Sequence, residues 1–424
     1  MKSGASFAVK GAILHSASKD EIRCLPDGYL ICENGLVAGV FRVLPEKYAG
    51  IRVVDHTGKL VIPGLCDLHL HAPQYAFRGL GMDLELLDWL DARVFPEEAK
   101  FDCLAYAGKA YGIFADALKE SATTRACIFA TIHTPATLLL MELLENAGLH
   151  ALVGKVNMDR NSPDALREAG PEQSLDATRQ WIEACSDFRN VRPILTPRFI
   201  PSCSNALLEG LSMLQRDYGL PVQSHLSENL SEIAWVKELC PGVSCYGEAY
   251  DRFGLFGGSC PTVMAHCVHP EPAELALMQK RGVFIAHCPQ SNENLASGIA
   301  PARAYLDAGM PMGLGTDMAG GFSLSMLRAM ADAVQVSKLR WRLVDETKKP
   351  LSVSEAFYLA TRGGGAFFGK VGAFEQGYEF DAVVFDDARL PHPQALTPLE
   401  RLERLIFLSD GREVCEKYVA GIKI

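Results

Sequence analysis

From Val61 onward the chain alternates short apolar runs with longer stretches of helical apolar spacing, and this alternation constrains the fold more than any other feature. The runs are VIPGLCDLH, TTRACIFA, ALVGKVNM, RPILTPRF, PVQSHLS, PTVMAHC, GVFIAHC and PMGLGTD. Between them lie segments such as PATLLLMELLENAG, SENLSEIAWVKELC and EPAELALMQKRG, with apolar residues three or four apart and helix-start signals at the front. Strands that alternate with helices lie parallel in one sheet, so the pattern predicts an α/β fold. Eight is the number of such strands that closes a (β/α)8 TIM-like barrel.

The two ends of the chain read differently. SFAVKGAIL, GYLICENGLVAGVF (with Asn34-Gly35 at a hairpin turn) and IRVVDHTGKLVI at the front, and FDAVVFDD and REVCEKYVAGIKI at the rear, carry strand patterns broken by tight turns. They predict a small β-sandwich domain built from both termini, residues 1–61 and 371–424, around a barrel at 62–370. A length of 424 residues accommodates a large barrel with additions.

The net charge of −10, from 41 Lys and Arg against 51 Asp and Glu, argues against a nucleic-acid binder, which needs a basic face. No run is long enough to cross a bilayer, and the front MKSGASFAVKGAILHS is interrupted by Lys10, so neither a membrane nor a secretory signal is expected. The 13 cysteines form no Cys-x-x-Cys pair and no even framework. They read as buried small hydrophobes in a reducing cytoplasm.

In barrels of this kind the working residues sit at the C-terminal ends of the strands. His69 and His71 end the first run, Arg198 the fourth, His225 the fifth, His266 the sixth, His287 the seventh and Asp317 the eighth. Side chains alternate along a strand, so His69 and His71 share a face, roughly 6.5–7 Å apart along the backbone. His69, His71, His225 and Asp317 supply nitrogen and oxygen ligands suited to zinc or a similar divalent ion. A set without thiolate suits catalysis, with an open position for a water whose pKa falls to about 7. Glu228, three residues after His225, is either a helix-end acid or a carboxylate that shuttles the water's proton.

These motifs carry a resemblance. PGLCDLHLH, QSHLSEN, MAHC and GLGTD resemble the amidohydrolase superfamily over essentially the whole chain. HAPQYAFRGLGMDLELLDWL, FATIHT, GKVNMDRN, ILTPRF, SHLSEN, AHCPQSN and GLGTDMAGGFSLSML are similar, more narrowly, to the guanine deaminases. That resemblance implies one zinc per chain on His69, His71, His225 and Asp317, with iron the alternative metal. It implies that His266 holds the hydrolytic water, that Glu228 shuttles the proton and that Asp317 assists. His71, Ala72, Pro73, Gln74, Arg198 and Phe199 would line a guanine pocket together with His225, Glu228 and Asp317. It further implies deamination of guanine to xanthine and ammonia in purine catabolism, by a homodimer. Gln290 stands where asparagine is common in the family, and His133 and His287 are open between pocket-shaping and structural roles.

Three rival readings stand beside it. A related deaminase or chlorohydrolase would act on a triazine, cytosine or adenosine-like substrate. A dinuclear hydrolase would carboxylate a lysine, for which Lys155 in GKVNMD is the candidate. A catalytically dead scaffold would have lost ligands, and this chain keeps all of them. His269-Pro270-Glu271 mimics half of a zinc deaminase signature whose second half is absent, and Gly363-Gly364-Gly365 follows a helix rather than a strand.

Overall fold

The computed structural model describes residues 6–424; the first five residues of the expected terminal β unit, and of the MKSGASFAVKGAILHS front, lie outside the described residues. Eight parallel strands form the barrel. They are β1 (Leu65–His71), β2 (Thr123–Phe129), β3 (His150–Gly154), β4 (Val191–Pro193), β5 (Val222–Leu226), β6 (Thr262–His266), β7 (Phe284–His287) and β8 (Met312–Leu314). Hydrogen bonds order them as β1-β2-β3-β4 and β5-β6-β7-β8. A parallel bridge between Leu195 and Val222 joins the two halves on one side. On the other, Asp317 N–H donates to the His69 carbonyl (2.8 Å) and His71 N–H to the Met318 carbonyl (2.9 Å). The barrel therefore closes, and every strand points its carboxyl end to the same mouth.

Helices pack outside, among them Leu104–Glu120, Thr134–Asn146, Asn205–Tyr218, Pro272–Arg281 and Met326–Leu343. The helix Asn205–Tyr218 illustrates the local rules. Ser204 caps its first turn by accepting from Leu207 N–H, Gly219 ends it at φ 64°, and Leu207, Leu208, Leu211 and Leu214 bury one stripe against the strands. The third and fourth apolar runs are not continuous strands. Val156–Asn157 and Thr196–Pro197 split off as a separate short parallel pair. Pro193 and Pro197 lack the N–H that a continuous ladder would need.

Strands from both termini join in one seven-stranded sheet. Its order is Ile422–Lys423, Val414–Val419, Ala382–Phe385, Arg52–Pro63, Phe7–Ser18, Glu21–Glu33 and Leu36–Phe41. Asn34 and Gly35 turn the last hairpin at φ 55° and 81°, as the Asn-Gly pair predicts. Arg125 on β2 ties this sheet to the barrel. Its guanidinium donates to both Asp381 oxygens (2.6 and 2.9 Å) and to Glu379 (2.7 Å), and all but Glu379 are buried. Burial opposes the charge of Asp381, but Arg125 outweighs it and holds the carboxyl below its ordinary range. Arg125→Ala would strand that carboxylate, so denaturant unfolding should show a loss of about 3–5 kcal/mol. An unchanged midpoint and slope would show that the sheet does not depend on this pair.

Candidate active site

The seam between β1 and β8 builds the floor of the site. Asp67 is fully buried there and accepts from Thr316 N–H (3.0 Å), Thr316 Oγ1 (2.5 Å) and His69 N–H (3.2 Å). Burial pushes its carboxyl up to about 6 against those donors. Gly315 allows the two strands to meet: a Cβ at this position would lie 2.8 Å from Cys288 Sγ and 3.0 Å from His69 Cβ. At or just beyond the strand ends the backbone kinks into the left-handed region at Ser227 (φ 46°), His266 (71°) and Asp317 (45°). Residues with a Cβ enter that region at a cost, and such strain gathers at functional sites.

Four of the expected residues converge at this mouth. His225 Nδ1–H donates to the Arg198 carbonyl (2.6 Å), which leaves a lone pair on its Nε2. That atom faces His71 Nε2 at 3.2 Å. Asp317 Oδ1 lies 3.1 Å from His69 Nε2 and 3.5 Å from His71 Nε2. Buried His69 Nε2 and His71 Nδ1 have no hydrogen-bond partner in the protein. Facing lone pairs beside a carboxylate are poor company for each other and a fitting donor set for one divalent cation. His69, His71 and His225 form one grouping with metal-ligand spacing, and His69, His266 and Asp317 form a second that shares His69. Burial, then neighbouring imidazoles, holds His71 and His225 well below the usual histidine range, which favours the neutral form of the ring that can ligate.

The proton-handling groups sit beside this set. His266 Nδ1–H donates to Asn292 Oδ1 (3.0 Å), turning its Nε2 toward Glu228 Oε2 (3.4 Å) and Asp317 Oδ2 (3.8 Å). Glu228 precedes Asn229, the N-cap of the helix Leu230–Leu239, so it is not a first-turn acid. Glu232 fills that position and accepts from Glu228 N–H (3.1 Å) and from the Tyr246 hydroxyl (2.8 Å). Burial, with Asp317 nearby, pushes the Glu228 carboxyl well above its ordinary range. Burial acts on Asp317 too, but His69, His266 and His71 overcome it and hold that carboxyl well below. Two neighbouring carboxyls are thus driven apart, one toward its protonated form and one toward its charged form.

A pocket opens over these groups. His71, Gln74, Arg198, Phe199, His225, Glu228, His266 and Asp317 line it, as expected from the sequence. Leu86, Trp89 and Leu90 add an apolar wall that sequence reasoning missed, and Leu295 and Glu232 close the far side. Ala72 and Pro73 do not line it. They are buried inside the turn Ala72–Phe77, where they serve to bring Gln74 back over the mouth. Arg198 is not a free fork of donors. Its two terminal nitrogens bind buried Glu98 at 2.6 and 3.1 Å, and Gln74 Nε2 donates to the same carboxylate at 3.0 Å. No local signal marks Glu98, but a buried arginine demands a counter-charge, and that demand was legible.

The residues with open roles also find places. Gln290 bridges Asp332 (2.9 Å) and Ser323 N–H (3.0 Å) away from the pocket lining. His133 lies 3.5 Å from Asp102, and His287 is buried with both ring nitrogens lacking a hydrogen-bond partner in the protein. Lys155 is buried and directs its ammonium to Glu168 at 2.5 Å and to the Val156 carbonyl at 3.2 Å, a paired cation rather than a free amine.

Comparison with known proteins adds to this geometry. The amidohydrolase family model matches residues 60–422. Guanine deaminase of Dictyostelium discoideum is 36% identical, over 98% of this chain and 97% of its own length. A probable guanine deaminase of Schizosaccharomyces pombe is 40% identical, over 97% of this chain and 82% of its own. The crystal structure of guanine deaminase from C. acetobutylicum, with guanine bound in its active site, superposes with a TM-score of 0.96 at 47% identity, covering 99% of this chain and 100% of that one. With the barrel, the mouth and these matches in hand, the chain belongs to the amidohydrolase family, in the group formed by its guanine deaminase relatives.

Proposed function

We infer that the chain hydrolyses guanine to xanthine and ammonia. The observation that carries this reading is one pocket lined by two chemically different groups: Arg198 and Gln74, joined through Glu98, and Glu228, His266 and Asp317 with the imidazole cluster. Guanidinium N–H groups have only donors to offer, which suits the carbonyl at the six position of guanine. Phe199 and the Leu86–Leu90 wall suit a flat ring. The full-length relatives named guanine deaminases support the same substrate.

His69, His71, His225 and Asp317 would hold one zinc, with iron the alternative, and that ion supplies Lewis acidity that lets water lose a proton near neutral pH. Glu228 accepts the proton of the attacking water and delivers it to ring N3, which makes C2 electrophilic. The water oxygen bonds to C2 while His266 and Asp317 orient it. A proton then passes by way of Asp317 to the exocyclic nitrogen, the C2–N bond breaks and ammonia leaves. Atoms balance as guanine plus water giving xanthine plus ammonia.

The remaining parts of the reading are of the same standing. The terminal sheet, with Phe7, Phe380 and Tyr418 packed in one apolar cluster, is taken as the small β-sandwich, with divisions at 1–61, 62–370 and 371–424. No helix among the described residues is long and apolar enough to cross a membrane, and all 13 cysteines are free, which suits a reducing cytoplasm. The working form is taken as a homodimer.

Two measurements test the reading. Ammonia release from guanine, adenine, cytosine and an amino-triazine should favour guanine over adenine by at least roughly a hundredfold, because adenine would set an amino donor against Arg198. Comparable efficiencies on guanine and adenine would return the chain to the broader deaminase group. Glu228→Gln keeps the size of the side chain and removes the proton acceptor, so turnover should fall by roughly 10²–10⁴ with metal content unchanged. Near wild-type turnover in that variant would remove Glu228 from the chemistry.

A further inference from the structure

We propose that Glu98 is a positioning residue that sets the hydrogen-bonding pattern of the base pocket, acting through Arg198 and Gln74. This rests on the guanine reading above. Glu98 ends the short helix Phe95–Glu98, which follows directly on the Leu86–Val94 stretch that walls the pocket, and is only 1% exposed. A carboxylate removed from water needs partners, and it has three donors. Arg198 Nη1 lies 2.6 Å from Oε2, and Arg198 Nη2 (3.1 Å) and Gln74 Nε2 (3.0 Å) share Oε1.

A carboxylate only accepts, so it dictates what its neighbours can still offer. Gln74 must turn its amide nitrogen toward Glu98, and Ala319 N–H, donating to Oε1 at 3.1 Å, fixes the other end. Gln74 is left with one N–H and one lone pair in a fixed orientation. Arg198 spends one N–H of each terminal nitrogen on Glu98, and the Phe95 ring, 5.6 Å from its guanidinium carbon, backs it from the preceding helical turn. The guanidinium is thereby aimed and its charge is balanced inside the protein.

That balance has a consequence for ligand choice. Arg198 with Glu98 presents N–H donors without net charge, a pattern suited to a neutral ring carbonyl. Without the carboxylate, Arg198 becomes an uncompensated buried cation, which favours anions. Xanthine, with two ring carbonyls beside its N–H groups, loses a proton more readily than guanine. Glu98 therefore weights the pocket toward the neutral substrate and against the ionised product.

The test uses the full chain loaded with zinc, as wild type, Glu98→Gln, Arg198→Met and the double variant. Glu98→Gln retains a carbonyl oxygen for Gln74 and removes the charge. It should raise KM for guanine roughly tenfold or more with a much smaller change in kcat, and xanthine inhibition should strengthen relative to guanine binding. In the Arg198→Met background the same substitution should change kcat/KM less than about twofold, because Arg198 is gone and the substituted amide still accepts from Gln74. A KM within twofold of wild type, or equal losses in both backgrounds, would overturn the proposal. If Glu98→Gln alone does not fold, the comparison of Arg198→Met with the double variant, which holds no unpaired charge, decides by itself. There a further tenfold loss overturns the proposal and equality supports it. Wild type inactive on guanine but active on another base would defeat the guanine reading instead, and the same cycle is then run on that base.

Discussion

The hydrogen-bonded seam between the first and last barrel strands is the constraint on which the site depends. Asp317 N–H reaches the His69 carbonyl and His71 N–H reaches the Met318 carbonyl, so residues far apart in the chain become neighbours. Asp67 locks the seam from below through Thr316, and Gly313 and Gly315 leave room where a Cβ would meet Leu68 or His69 of β1. Parallel strands all direct their carboxyl ends to one side, so closure at this seam also brings in His225 and His266. Opening it would separate Asp317 from both imidazoles of β1.

The charges at the mouth are arranged so that each buried ionisable group has a distinct task. Asp317 is kept ionised by three imidazoles, whereas Glu228 is lifted by burial and by Asp317 itself. Arg198 is neutralised by Glu98 before any ligand arrives. Buried charges are costly when left alone and tolerable in pairs, which explains why Arg198 and Glu98 are found together beside the pocket.

Much of this was legible in the sequence because strand periodicity and the barrel rule act together. His69-Leu70-His71, His225, His266 and Asp317 each end an apolar run, and the fold leaves such residues nowhere to gather except the mouth. The breaks before Val156 and Thr196 were less legible, because the apolar pattern runs on past both of them, and only in the fourth run do prolines, Pro193 and Pro197, interrupt the ladder. The position of Glu98 and the role of Leu86–Leu90 as a wall were not legible, although the latter stretch lies in a motif that carries the resemblance. These residues come from a helical excursion between β1 and β2, where Glu97 and Glu98 look like ordinary surface acids and only tertiary packing buries them. Ala72 and Pro73, in a motif that neighbours a ligand, are buried in the turn Ala72–Phe77 that carries Gln74.

The most direct measurement is a titration of chelator-stripped protein with zinc, following ammonia release from guanine alongside the bound metal. Activity should rise linearly and reach its plateau at one equivalent per chain, as the proposed holding of one ion by His69, His71, His225 and Asp317 requires, the two groupings of possible ligands overlapping at His69. A plateau at two equivalents, or guanine hydrolysis undiminished in the stripped protein, would contradict a single metal held at the β1–β8 seam.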